Sequence, residues 1–323
     1  MGKFNWGNHK IIGENVILAG YDTFEDLESA KKYCKKIAKS NYENFIISNW
    51  FTPKETKQHI QNIYAFCRYG DDLGDDAPFP PAGRTMLLNE WLADLKRAFK
   101  SENKPWEGEP RHPILRAVAD TAKLYKIPIT PFERLIEAFK FDQEKTRYNN
   151  FQELKNYCIH SADPVGHLFL YVYGHNDEEL QKISNNTCTA LQLANHWQDV
   201  KRDLEQDRIY MPIDEMEQFN YSLEKYQKRI VNDEWRALMR FQVERAREMF
   251  EKGKLLWEKV DPKLAVDLQM FTMGGLAVLD AIEAQGYDTW NKRPKISKFK
   301  QLRMLMASRK LWKEAHKKGK GIG

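Results

Sequence analysis

The chain has 323 residues, 42% hydrophobic and 12% aromatic, with a net charge of +5. That is enough apolar material for a large core, and it excludes disordered and fibrous classes. The charge is uneven. Residues 293–323 carry 11 Lys/Arg and one acid (Glu314), a net of +10, which leaves −5 for the rest. A body this acidic with one basic end speaks against nucleic-acid binding. The basic segment suits contact with an anionic membrane or a diphosphate, or is a solvated, partly frayed end from Lys317 onward. Apolar runs are short, with none near 18 residues, and the N-terminus lacks an apolar signal region, so neither a spanning helix nor a secretion signal is expected. Cys34, Cys67, Cys158 and Cys188 lie far apart without a CxxC pair, as reduced thiols would.

In chain order, Thr23-Phe24-Glu25-Asp26 opens a helical pattern reaching about Ser40. Thr52-Pro53-Lys54-Glu55 reads as a capping box with proline at the first helical position, and the helix after it ends near Pro78. Thr130-Pro131-Phe132-Glu133 repeats that start. Periodic stretches follow at 131–144, 151–174, 177–204, 232–259 and 262–286, with breaks at 77–83, 102–112, 147–150 and 206–222. No alternating run looks like a sheet. The expectation is one all-α domain.

Two acidic clusters stand out. Tyr64, Arg68, Asp71 and Asp75 follow steps of four, three and four within a helix otherwise rich in apolar residues. Cys188, Leu191, Gln192, Asn195, Asp199 and Asp203, in steps of three, one, three, four and four, lie in the same way along the 177–204 helix. Each set shares one helix face. Stacked carboxylates repel unless a cation intervenes, so each face is either a solvated acidic surface or one wall of a site for Mg²⁺ and a diphosphate. Other chemistries lack their motifs. There is no HExxH or paired-Cys spacing for zinc, no ExxH for di-iron, and neither GxGxxG nor GxxxxGK[ST] for nucleotides.

Ile63-Tyr64-Ala65-Phe66-Cys67-Arg68, followed by Asp71-Asp72-x-x-Asp75, resembles the first aspartate motif of the squalene/phytoene synthase family. Gln192-Leu193-Ala194-Asn195-x-x-x-Asp199-x-x-x-Asp203, then Arg208-Ile209-Tyr210-Met211-Pro212, resembles the second. Tyr42-Glu43-Asn44-Phe45, Ser161-Ala162-Asp163-Pro164-Val165-Gly166, the Asn195-His196-Trp197-Gln198-Asp199 run, Ala284-Gln285-Gly286-Tyr287-Asp288 and Arg293-Pro294-Lys295 are similar to the hydroxysqualene synthase branch. The resemblance implies an all-α, single-domain isoprenoid-synthase helical bundle around a central cavity, spanning 23–310 between an extension (1–22) and a basic tail (311–323). It implies Mg²⁺ as cofactor, two or three ions bridging to diphosphate, held by Asp71, Asp75, Asn195, Asp199 and Asp203. Arg68, Arg208, Tyr210 and Tyr64 would donate to the diphosphate, and Arg293 would close the site from the C-terminal side. Phe45, Tyr157, Gly166 and Gln192 would line the isoprenoid, unless Gly166 serves helix packing alone. Trp50, Phe51, Phe169 and Trp197 are either cation-shielding or ordinary core aromatics. Asp142 and Gln143 either order a water or cap a helix.

The implied reaction takes presqualene diphosphate to hydroxysqualene, in squalene and hopanoid biosynthesis. The alternative is head-to-head condensation of two allylic diphosphates, and a third reading is a non-catalytic scaffold. Gln198 stands where condensing relatives commonly carry Arg, which favours water capture. Asn41 and Asn49 depart from residues frequent in relatives (His and Arg). No NADPH site is visible. The expected setting is cytoplasmic, with peripheral attachment at the inner face of the membrane and functional coupling to other squalene-pathway enzymes.

Overall fold

The computed structural model describes residues 10–12, 15–17, 26–40, 54–100 and 112–319. The fold is all-α, with one short antiparallel hairpin that the alternation pattern missed. Its strands β1 (Lys10–Ile12) and β2 (Asn15–Ile17) pair Lys10 with Ile17. Three residues are too few to show alternation, although Ile11, Ile12, Val16 and Ile17 are all strand-favouring. Tyr42–Phe45, Asn41, Asn49, Trp50, Phe51 and the Thr52-Pro53 cap lie outside the described residues.

The elements group into two compact units, each described by itself. The first holds the hairpin, α1 (Leu27–Ser40), α2 (Lys54–Asp75), α3 (Pro81–Lys100), α4 (Pro113–Tyr125), α5 (Thr130–Glu144) and residues 167–175. Phe66 of α2 stacks edge-on to Phe132 of α5 at 5.1 Å, and Tyr69 lies 4.7 Å from Trp91 of α3. All four rings are buried, each burying enough apolar surface to contribute about 1.5–3 kcal/mol. A polar pin joins α2 to α4: His59 Nδ1 lies 3.0 Å from Thr121 Oγ1, and Asn62 donates to Thr121 (3.0 Å) and to the Ala117 carbonyl (3.2 Å). These contacts fix the rotation of α2, and so the direction of its acidic face.

In the second unit, α6 (Phe151–Ser161) and the start of α7 (Asp163–Val172) replace the single 151–174 helix the periodicity predicts. The break falls at Ala162, because Pro164 lacks an N–H to continue the ladder. Asp163 is buried there and accepts from Thr189 Oγ1 at 3.0 Å, an anchor on α8 (Glu178–Glu205). Asp177 caps α8, accepting from Glu179 N (2.6 Å) and Leu180 N (3.4 Å). The stretch 206–222, read as a break, contains α9 (Ile213–Gln218), and α10 (Leu223–Gln227) follows it. Glu215 of α9 is held by Gln242 (2.6 Å) and by both Nη atoms of Arg245, residues of α11 (Asp233–Gly253). After a 3-10 turn comes α12 (Pro262–Ala284), then α13 (Lys298–Gly319). Although no long apolar run is obvious by eye, α12 contains an 18-residue window of mean hydropathy 1.4, long and apolar enough to cross a membrane. Leu264, Leu268, Leu279 and Ile282 are buried in it, and it packs on α8 and α11, so its apolar character is that of a core helix.

Candidate active site

The first acidic face is built on α2. Gly70 and Gly74 let α5 come close. A Cβ on Gly70 would meet Phe139 Cε2 at 2.5 Å, and one on Gly74 would meet Gln143 Nε2 at 3.2 Å. Gln143 donates to the carbonyls of Gly74 and Phe139, both at 3.1 Å, which assigns it to packing α5 on α2. Its neighbour Asp142 comes within electrostatic reach of Asp71.

Tyr64, Arg68, Asp71 and Asp75 share the predicted face, but Arg68 is partly committed. It pairs with Asp72, which is buried, and lies 3.5 Å from Asp71. Asp72 is therefore the structural partner of Arg68, a division of labour that Asp71-Asp72 in sequence did not show. Burial raises the Asp72 carboxyl to about 6 against the pull of Arg68. Burial, then repulsion from Asp75, raises Asp71 to about 7, with Arg68 opposing. Burial also raises the Tyr64 phenol. An acid lifted this far beside a second acid is only partly neutralised by Arg68.

The second face is on α8. Asp199 lies between Gln198 and Arg202, and its carboxylate receives a fork from Arg293, in the segment after α12. Arg293 Nε lies 2.5 Å from Oδ1, and Nη2 lies 2.9 Å from Oδ2. Nη2 also donates to Gln198 Oε1 (3.0 Å), while Gln198 Nε2 donates to the Pro294 carbonyl (2.8 Å). The hydrogen bond to Asp199 holds the Arg293 guanidinium above its ordinary pKa. The delivering segment is anchored by Trp290, buried 5.1 Å from Trp235 and 4.8 Å from Tyr226.

Asp203, two turns of α8 from Asn195 and one from Asp199, is raised by burial and lowered by His196. His196 is a residue the motif reading left without a role. Its Nδ1 faces Asp203 Oδ2 at 3.8 Å and its Nε2 lies 3.2 Å from the Gln192 amide nitrogen. An amide N–H₂ only donates, so Nε2 is the acceptor and the ring proton sits on Nδ1, toward Asp203. The imidazole stacks on Tyr210 at 3.6 Å, and Tyr210 in turn lies 5.6 Å from both Tyr148 and Tyr157. The signal that could have found His196 is its i+4 spacing from Gln192. Arg208 donates to Gln206 Oε1 (3.2 Å) and attracts Asp203. The 206–213 segment is held by Arg147, whose guanidinium is 2.5 Å from Asp207 Oδ1, and by Ile209 N donating to the Thr146 carbonyl at 2.9 Å.

Gly166 is a close-approach point between α7 and α8. A Cβ there would meet Ser184 Oγ at 2.4 Å and Cys188 Sγ at 2.5 Å, as close helix packing requires. Trp197 and Phe169 are buried as core aromatics. Phe45 lies outside the described residues. The four cysteines are free, with burial raising Cys67 and Cys188 to about 12, as expected for unreactive thiols.

Among the described residues no three His, Cys, Asp or Glu close on one point as a metal cage would. Mg²⁺ is ordinarily held by one or two carboxylates plus water and substrate phosphates. The Asp71–Asp75 pair fits that donor set, since a cation would remove the repulsion that helps to raise Asp71. Asn195, Asp199 and Asp203 supply the same oxygen chemistry on α8, with Asp199 shared with Arg293.

The squalene/phytoene synthase family profile matches residues 38–300. The 15-cis-phytoene synthase of Synechococcus elongatus is 31% identical over 294 residues, covering 85% of this chain and 91% of that protein. The crystal structure of squalene synthase HpnC from Alicyclobacillus acidocaldarius is 40% identical with a TM-score of 0.75, covering 81% of this chain and 96% of the other. A dehydrosqualene synthase structure, 21% identical, shares the fold with a TM-score of 0.78, covering 89% and 98%. With the two aspartate faces on α2 and α8 in an all-α chain, the protein is a member of the squalene/phytoene synthase family, whose enzymes process isoprenoid diphosphates.

Proposed function

We propose that the protein converts presqualene diphosphate and water to hydroxysqualene and diphosphate. The observation that carries this reading is Gln198. At the edge of the α8 acidic face stands a neutral amide, engaged with Pro294 and Arg293. The 40% identity to a squalene synthase HpnC supports the same branch.

The α2 face, with Asp71 and Asp75, and separately the α8 face, with Asn195, Asp199 and Asp203, carry the oxygen donors that would hold Mg²⁺, which when bound neutralises charge gathering on the departing diphosphate. Arg68, Arg208, Arg293, Tyr64 and Tyr210 supply donors to its oxygens. The C–O bond to diphosphate breaks heterolytically and the electron pair leaves with it. Water then forms a new C–O bond to the rearranged cation and sheds one proton. No reductant is consumed, consistent with the lack of a nucleotide motif. Tyr157 would present a ring face to the cation.

A condensing activity on two allylic diphosphates is the second reading, favoured by phytoene synthases at about 30% identity along most of the chain. Feeding the purified enzyme farnesyl diphosphate, then presqualene diphosphate, each with Mg²⁺, separates the two. Hydroxysqualene from presqualene diphosphate alone is expected. Product from farnesyl diphosphate alone would defeat water capture as the sole activity.

The setting we propose is the inner face of an anionic membrane, within a squalene and hopanoid route. On α13, Arg309, Lys310 and Lys313, with one acid (Glu314), border a depression with the exposed Met306, the surface expected to meet lipid. Release of membrane-bound protein by high salt is the expected behaviour, and salt-insensitive partitioning would rule this out.

A further inference from the structure

Arg293 reaches Asp199 across 94 positions of sequence, from a segment that is neither helix nor strand. Something must set its position. Trp290, wedged between Trp235 and Tyr226, anchors the segment three residues earlier, and Gln285 Nε2 donates to the Lys292 carbonyl at 2.9 Å. Neither touches the guanidinium. Gln198 does, and it also reads the next residue. Its Oε1 accepts from Arg293 Nη2 and its Nε2 donates to the Pro294 carbonyl.

We propose that Gln198 is the positioning residue for Arg293: its amide docks the 293–294 segment onto α8 so that the guanidinium stands at Asp199, offered to a diphosphate bound on that face. This inference rests on the diphosphate reading above. The residue type is specific. A carboxylate at 198 would accept from Arg293 but could not donate to Pro294. A guanidinium or ammonium would donate to Pro294 but could not accept from Arg293, and would set a second cation against it. An apolar side chain would do neither. Arg293 binds Asp199 through Nε and Nη2, so the two N–H groups of Nη1 take no part in the fork and can serve an anion. Arg293 is thus a charge delivered from outside α8, at a position that Gln198 sets.

The test is a double-mutant cycle on ligand binding, independent of turnover. Inorganic pyrophosphate is titrated calorimetrically, with Mg²⁺ present, into the full-length enzyme and into Gln198→Met, Arg293→Met and the double variant. Loss of hydrogen bonds involving a charged group predicts about 10-fold weaker binding for Gln198→Met. Because Gln198 acts through Arg293, the double variant should bind no more weakly than Arg293→Met. Wild-type affinity in Gln198→Met, or additive losses in the double variant, would overturn the proposal. In ligand-free protein, amide exchange at residues 291–293 and 295 should quicken in Gln198→Met while the rest is unchanged; unaltered exchange there would also overturn it. Should Gln198→Met fail to fold, Gln198→Glu keeps the acceptor and loses the donor, and takes the same two readouts. If wild-type enzyme binds no pyrophosphate, the diphosphate reading falls, and the exchange measurement still decides the role of Gln198.

Discussion

Replacing Asp71 by Asn removes a charge but little volume. In the folded protein burial and Asp75 raise Asp71 from 3.8 to about 7, with the attraction of Arg68 already opposing. The folded state therefore holds this proton over a pH range in which the unfolded chain has released it. Stability falls as pH rises from about 4 to about 7. The penalty is fully present above 7 and absent below 3.8. A displacement of that size corresponds to at most about 4 kcal/mol. With 45% of the side chain exposed, solvent screening reduces it to about 1–2 kcal/mol. Asp71→Asn should accordingly be more stable than wild type by that amount in urea unfolding at pH 8 without metal, and equal to it near pH 4. With Mg²⁺ and pyrophosphate at pH 8 the order should reverse. Ligand at 100 times its dissociation constant adds about 2.7 kcal/mol to wild type and less to the variant. Turnover by the variant should be lost. An advantage of the same size at pH 4 and pH 8, or a variant less stable than wild type at pH 8, would refute the reasoning.

Glu215→Ala should destabilise by about 3–5 kcal/mol, measured by denaturant unfolding, because Arg245 and Gln242 lose their buried partner. Gly166→Ala should cost about 1–3 kcal/mol through overpacking against Ser184 and Cys188, and Cys188→Ala added to it should recover part of the loss. Removing divalent metal with a chelator should abolish turnover, and Mg²⁺ should restore it; full activity after exhaustive chelation would contradict the donor assignment.

Long helices were legible because their apolar spacing repeats over many turns. The 177–204 and 262–286 patterns match α8 and α12 within two residues at each end. The acidic faces were legible for the same reason, being local. What was not local was lost. The 151–174 pattern runs through the break that Pro164 imposes at Ala162, because its apolar spacing continues beyond it, and the bond that anchors Asp163 there comes from Thr189, 26 residues away. The α9 helix is short and depends on Arg245 of α11, so its six residues read as loop. The Arg68–Asp72 pair is local, an i,i+4 step of α2, and only the burial of Asp72 marks it out from Asp71. Arg293 was visible as a motif residue, but its carboxylate partner and the Gln198 bridge come from packing of the segment after α12. His196 took no role from its motif, because its stack on Tyr210 is a contact between α8 and the segment after it.

The central claim is that water captures a cation formed from an isoprenoid already joined. Incubating the purified enzyme with Mg²⁺ and presqualene diphosphate in ¹⁸O-labelled water tests it most directly. The account predicts hydroxysqualene carrying the label at its hydroxyl oxygen. Recovery of unreacted presqualene diphosphate, from a preparation that joins two allylic diphosphates, would contradict it.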